Sequence, residues 1–421
     1  MPRVSAAAAL RSVRAGARVV ATSYCATPDT LLRALAERTR EVPGVTLGAG
    51  MLLGGHPYAD AVRAGRLALR NWHVAGAGRK LMADGLAEYV PCRAGDLPAL
   101  LARQGVDVAL LRVSPPDARG FCSLGPSASY GRALVDTAQV VVAEVDEGLP
   151  RTCGEDVAVH VYEVDHLVET DSPTPVYRRA PVTRESARIA DLVLGLLPED
   201  ATLQLGIGAV PEAVADALAD AGAVRQRFVG LACDAMIEMV TGPRGASVTT
   251  VELMGGPKLF AACAGNPRVR MASSARVHDP RWLADLPRLV SVCSALQVDL
   301  TGQVASESVG GAPVAGIGGS ADFFDGAHFS TGGLRVVALP ATTAKNRSRI
   351  VARLDPGTPV TLPRHAVDVV VTEHGTAVLT GRSVRERAEA LLGVVAPALR
   401  DEVASDWEKT CGPRRPARGS R

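Results

Sequence analysis

Two largely apolar runs constrain this chain most: VALLRV at 108–113 and VDVVVTE at 367–373. Runs of this kind suit strands of a parallel sheet that is covered on both faces. These runs give predicted strands at 106–113 and 367–372, and β-branched stretches repeat the signal at 17–22, 45–53, 138–145, 202–206, 289–292 and 336–339. Helical patterns fall between them at 27–41, 185–197 and 211–221. Alternating β and α segments predict an α/β fold. With 421 residues, the chain exceeds one ordinary core, so two domains are expected. The stretch 172–184 (SPTPVYRRAPVTR) is rich in proline and lacks periodicity, and reads as the linker. The expectation is therefore two open α/β domains with mainly parallel sheets, 1–180 and 181–421. No sequence repeat relates the two halves.

Composition narrows the partners. Lysine and arginine number 46 against 44 aspartates and glutamates, a formal net charge of +2. Such a balance indicates no nucleic-acid or membrane surface. The basic tail at 414–421 reads as a frayed end. The eight cysteines (Cys25, Cys92, Cys122, Cys153, Cys233, Cys263, Cys293 and Cys411) form no CxxC pair and no zinc-type spacing. They read as small apolar residues of a reducing compartment, and no metal site is expected. Near the start, Arg11, Arg14 and Arg18 interrupt an alanine run before it reaches signal-peptide length. No segment is long enough to span a bilayer. The expected location is cytoplasmic.

Glycine marks three candidate functional turns. In LQLGIGAVPEAV (203–214), a strand runs into Gly206 and Gly208 and then a helix with an early proline. Backbone N–H groups at such a helix start can hold phosphate or a developing oxyanion. Without a third glycine it is not the dinucleotide fingerprint, and alone it reads as a tight strand-to-helix turn. AGIGGSADFFDGA (315–327) clusters Gly316, Gly318 and Gly319 ahead of Asp322. SPPDARGFCSLG (114–125) follows a predicted buried strand as a rigid turn with a polar rim.

Together with VVAEVDEGLPRT (141–152), MGGPKLF (254–260), SALQVDLTGQVASESVG (294–310) and VVTEHGTAVLTGRS (370–383), these segments form seven collinear motifs. In them the chain resembles the acetyl-CoA hydrolase/transferase family, most closely its 4-hydroxybutyrate CoA-transferase branch. The resemblance implies an acyl-CoA thioester bound as substrate at the domain interface, with no tightly bound cofactor. A family glutamate attacks the thioester to give a mixed anhydride. CoA thiolate then converts that to a glutamyl-CoA thioester, and an acceptor carboxylate reverses the sequence. By the same resemblance Gly206, Ile207, Gly208, Ala209, Val210 and Leu296 contact CoA. Gly319 offers a backbone N–H to the thioester oxygen, and Lys345 lies toward CoA. A small carboxylic acid is the second partner, and a homo-oligomer, or alternatively a hetero-oligomer, is implied.

The chain departs from the family where the glutamate belongs, in a segment reading roughly G-I-H-S/T-E-M. The matching stretch is RFVGLACDAMIEM, 227–239. One register puts Asp234 at the glutamate and Ala232 and Cys233 before it. The other needs no gap, keeps the acidic pattern of Asp234 and Glu238, and puts Gly230 there. Neither supplies a glutamate, and the neighbouring histidine is lost as well. As nucleophile, Asp234 is one methylene short, and a displacement of about 1 Å costs on the order of 100-fold in rate unless the backbone compensates. Were Gly230 the equivalent, covalent transfer by the family route would be closed.

Other residues read more plainly. Glu238 reads as a solvated helix residue and Glu307 as a structural partner of a backbone amide. Glu144, at a strand end, faces a ligand crevice or anchors a loop. His56, His73, His160, His166, His278 and His365 read as isolated packed or exposed histidines, His374 as structural, and His328 as a possible cleft residue. Ser320 keeps a polar group where many relatives carry glutamine. Cys233 has no adjoining cation to lower its pKa. Pro243 and Gly245 break any helix after the lost glutamate. Three functions follow: an acyl-CoA:carboxylate CoA-transferase, an acyl-CoA hydrolase using the same turns, or a CoA-binding homologue or subunit whose partner carries the glutamate.

Overall fold

The computed structural model describes residues 3–222, 227–242 and 245–411, and the apolar runs become strands of two large sheets. The first sheet holds seven parallel strands. Their spatial order is His166–Glu169, Ala138–Val145, Val106–Val113, Arg18–Ala21, Val45–Ala49, Leu67–Asn71 and Ala87–Tyr89. Strand periodicity explains the continuous run in its middle. Val108 and Leu110 pack into one apolar cluster, while Ala109, Leu111 and Val113 pack into a second on the opposite face.

The second sheet has nine strands, in the order Gly375–Val378, Val369–Thr372, Leu334–Ala338, Leu289–Cys293, Thr202–Leu205, Arg227–Cys233, Ser247–Met254, Val269–Met271 and Cys153–Gly154. All pair in parallel except the hairpin partner Gly375–Val378. Val369 and Val371 face one core cluster and Val370 the other. The α/β architecture with mainly parallel sheets is thus as the sequence predicts. Two strands that the sequence reading passed over, Arg227–Cys233 and Ser247–Met254, lie side by side here. Their apolar pattern is diluted by Gly230, Thr249, Thr250 and Glu252, which hides them from a hydrophobicity count.

Both sheets are wound in two directions from a switch point. In the first it lies between Arg18–Ala21 and Val106–Val113, and in the second between Thr202–Leu205 and Leu289–Cys293. Open α/β sheets bind ligands beyond the carboxyl ends of strands at such points. The lobes are interwoven by more than the linker. Cys153–Gly154, from the first half of the chain, forms the edge of the second sheet beside Arg270 and Met271. Gly154 sits at φ +150°, and a Cβ there would come within 1.8 Å of the Met271 carbonyl oxygen, so the close approach requires glycine. The stretch predicted as linker carries no helix or strand until Arg184–Leu194, which Thr183 and Ser186 cap reciprocally.

Arg112 ties the first switch point together. Fully buried, it lies 3.0 Å from Glu144 and 2.8 Å from Asp146. It also donates to the carbonyls of Thr27 (3.2 Å) and Ser172 (2.7 Å). Glu144 accepts the Leu31 N–H as well, and burial pushes its carboxyl up to about 7 despite the arginine. Glu144 therefore anchors a loop. Arg112→Leu would strand two acids that lose their only shared cation. A loss of about 3–5 kcal/mol is expected, read as a lower urea midpoint for the first lobe, with little change for the surface pair variant Lys80→Ala.

Candidate active site

The carboxyl ends of the two sheets face each other across a cleft of about 670 Å³. The second lobe contributes Gly206, Ile207 and Gly208 from one side of its switch point and Cys293, Ser294, Ala295 and Leu296 from the other. The segment from Ala315 to Ser320 closes the far wall, and Tyr24, Met51, His73 and Arg79 come from the first lobe. Two glycine turns separated by about a quarter of the chain therefore border one cavity.

The first turn is set by conformation. Gly208 takes φ +114° and caps the helix Ala209–Asp220, with nothing near the position of a Cβ. The Gly206 N–H extends the ladder to Val292 (3.1 Å), and the Gly208 N–H donates to Glu212 (3.1 Å). Glu212 also accepts from Tyr177 at 2.9 Å. Ala209 and Val210 turn away from the cleft: neither lines it, and Val210 is buried in the core beneath.

The second turn is set by crowding. Gly316 approaches the Trp72 carbonyl so closely that a Cβ would stand 2.4 Å from its oxygen. The Ala94 N–H donates to Gly318 (2.9 Å), and the Gly95 N–H to Asp322 (3.1 Å). These bonds clamp the turn to the first lobe. Gly319 caps the helix Ser320–Phe329, and a Cβ on it would meet the His278 ring at 2.4 Å and Phe323 at 2.9 Å. Ser320 lines the cleft and donates to the Ile317 carbonyl (3.0 Å).

Other residues singled out in the sequence stand elsewhere. Asp234 is not among the cleft residues; it accepts the Gly256 N–H (3.3 Å), on the far side of its strand end. Lys345 is exposed on a turn that does not line the cleft. Glu307 accepts from Tyr89 (2.7 Å) and Thr361 (3.0 Å) and serves as an interlobe strut. Glu238 is exposed on the short helix Ile237–Thr241. His328 is exposed and His374 pairs loosely with Glu373; neither lines the cleft. Burial drives the Cys233 thiol up to about 12, so it holds no thiolate. Pro243 and the basic tail at 414–421 lie outside the described residues.

Sequence reasoning missed Glu252. It stands opposite Leu231 on the adjacent strand, just past an irregularity in register between Gly230 and Leu231. Only 1% exposed, it borders the cleft. Ser127 of the other lobe donates to one carboxylate oxygen at 2.8 Å, while the second oxygen has no hydrogen-bond partner. Burial pushes its pKa well above the ordinary carboxylate value, against the lowering effect of the Ser127 and Ser129 hydroxyls. Tyr24, held at φ +56° with its hydroxyl 3.0 Å from His73, borders the same cleft. No run of sequence flags these residues, because Glu252 and Tyr24 sit more than 200 positions apart.

Comparison with known proteins gives a consistent picture. Residues 3–177 match the acetyl-CoA hydrolase/transferase N-terminal domain, and residues 255–407 match the C-terminal domain of the same name. The 4-hydroxybutyrate coenzyme A transferase of Clostridium kluyveri is 34% identical over 96% of this chain and 97% of its own. Butyryl-CoA:acetate CoA-transferase of Anaerostipes caccae is 32% identical over 91% of this chain and 90% of its own. Among solved structures, RipA from Yersinia pestis superposes with a TM-score of 0.87 at 28% identity, covering 97% of each chain.

His278 and His73 look isolated in the sequence, yet both border the cleft. Burial lowers each to about 4, with Arg79 reinforcing the effect on His73. Both are therefore neutral at pH 7. Between pH 6.5 and about 4 the unfolded chain binds more protons than the folded one, so stability falls as pH falls through that window. The expected NMR result is two imidazole ring signals that do not titrate above about pH 5, with a urea midpoint lower at pH 5 than at pH 7.

Proposed function

Because this chain belongs to the acetyl-CoA hydrolase/transferase family, we propose that it transfers coenzyme A between an acyl-CoA and a small carboxylic acid. The observation that carries the reading is the single cleft shared by the Gly206–Gly208 turn and the Gly316–Gly319 turn. A pantetheine thioester is long and narrow, and it needs a cavity with polar backbone on opposite walls rather than a wide polar basin. The relatives named above, acting on 4-hydroxybutyrate and on butyrate with acetate, support a short acyl chain. Acetate or a short hydroxy acid is the proposed acceptor.

The residues divide the work as follows. Gly319, at the start of a ten-residue helix, sets a backbone N–H and a positive helix end beside the thioester carbonyl. Its lack of a side chain leaves the His278 and Phe323 rings against the turn, which fixes the N–H direction. Neutral His278 leaves stabilisation of the developing oxyanion to the backbone N–H. The turn at Gly206–Gly208 and Leu296 bound the opposite wall, where the pantetheine arm would pass. Arg79 and Arg178 border the cleft and suit the CoA phosphates.

The purified chain, given butyryl-CoA and acetate, is expected to form acetyl-CoA and butyrate, detected by mass spectrometry. Free CoA accumulating at the same rate with and without acetate would favour hydrolysis and defeat the transferase reading. Gly319→Ala would move the N–H by displacing His278, and kcat/KM is expected to fall on the order of 100-fold.

A further inference from the structure

We infer that Glu252, on the strand next to the one where relatives carry their glutamate, is the nucleophile of this enzyme; this rests on the CoA-transferase reading above.

Steric evidence comes first. At position 230 the backbone has φ +104°, and a Cβ would stand 2.9 Å from the Phe323 ring and 3.2 Å from the Gln204 side chain. No carboxylate can be carried there. Asp234, the other sequence candidate, turns away to the Gly256 N–H. Contiguity comes next. The same Phe323 ring abuts Gly230 on one side and Gly319 on the other. Thr250, paired with Gly230, donates to the Gly230 carbonyl (3.0 Å) and to the Glu252 carbonyl (2.8 Å). Gly319, Phe323 and Glu252 thus border the same cleft, with Gly230 packed behind the Phe323 ring.

The carboxylate itself has the features of a reacting group. One oxygen is fixed by Ser127, which leaves the other with a defined direction and no partner. A buried carboxylate oxygen without a hydrogen bond is costly; Asp29, Glu144 and Glu212 each carry one too, but of these four acids Glu252 alone borders the cleft. Almost complete burial keeps water from the site, so an anhydride formed there would be protected from hydrolysis.

The chemistry balances. Glu252 reacts as the carboxylate, first releasing to solvent the proton that burial favours and regaining it when the free enzyme is restored. Its oxygen adds to the thioester carbonyl, the C–S bond breaks, and CoA leaves as thiolate, giving a mixed anhydride. The thiolate then adds to the Glu252 acyl carbon, the anhydride C–O bond breaks, and the donor acid leaves as carboxylate. The acceptor carboxylate runs the two steps backward, so no proton, electron or water is consumed overall.

The test treats wild-type enzyme with butyryl-CoA and then borohydride, which reduces a glutamyl-CoA thioester to the alcohol, followed by peptide mass mapping. The reduced residue is expected at Glu252. Glu252→Gln is expected to lose transfer on the order of 10³-fold or more. Its calorimetric binding of butyryl-CoA should persist, which shows that the variant is folded. Wild-type transfer with the reduced residue at Asp234, at any other position or nowhere overturns the inference alone. Glu252→Gln that retains transfer within tenfold does the same. Wild type that neither transfers CoA nor forms an adduct overturns both readings.

Discussion

A short loop of the first lobe completes the strand pairing of the second, and the cleft depends on it. Beyond Thr250 the strand Ser247–Met254 loses its neighbour Val269–Met271, and Pro126–Ala128 takes over that edge. The Leu253 N–H donates to Pro126 (2.8 Å) and the Ala128 N–H to Val251 (3.0 Å), while Ser129 accepts from the Ser274 N–H (2.7 Å). Buried backbone groups must be paired, so this edge holds the lobes in one relative position. Ser127, in the middle of the loop, is thereby delivered to the Glu252 carboxylate. The two lobes do not merely enclose a space; each finishes the polar accounting of the other.

The same economy runs along the opposite wall. Gly316 and Gly319 could not lie against Trp72 and His278 with side chains of their own, and the carbonyls and amides of the segment 315–319 are taken up by Val74, Ala94 and Tyr89. Backbone held on both sides is pre-organised backbone, which is what a thioester carbonyl requires of a donor.

What the sequence disclosed follows from where the information lies. Val106–Val113 and Ala138–Val145 are legible to the residue because a doubly covered strand is apolar along most of its length, the charges of Arg112 and Glu144 being paired with each other. The glycine turns are legible because a positive φ or a close approach is a local demand written at one position. Glu252 is not legible in that way. Its relation to Gly230 and Leu231 is a lateral one, across a parallel pair, between residues about twenty positions apart with a helix between them. Read along the chain, Asp234 stands nearest to the vacated position; read across the sheet, it is Glu252. The histidines show the same limit, since His73 and His278 come from different halves of the chain and share a cavity only in the fold.

Phe323 has a consequence for position 230. Its ring fills the volume a side chain at 230 would need, and the local backbone there favours glycine over any other residue. An acid at 230 would therefore meet an aromatic wall and a twisted main chain at once. Any side chain at that point would have to be accommodated by repacking the wall and the strand together, which ties the two positions mechanically.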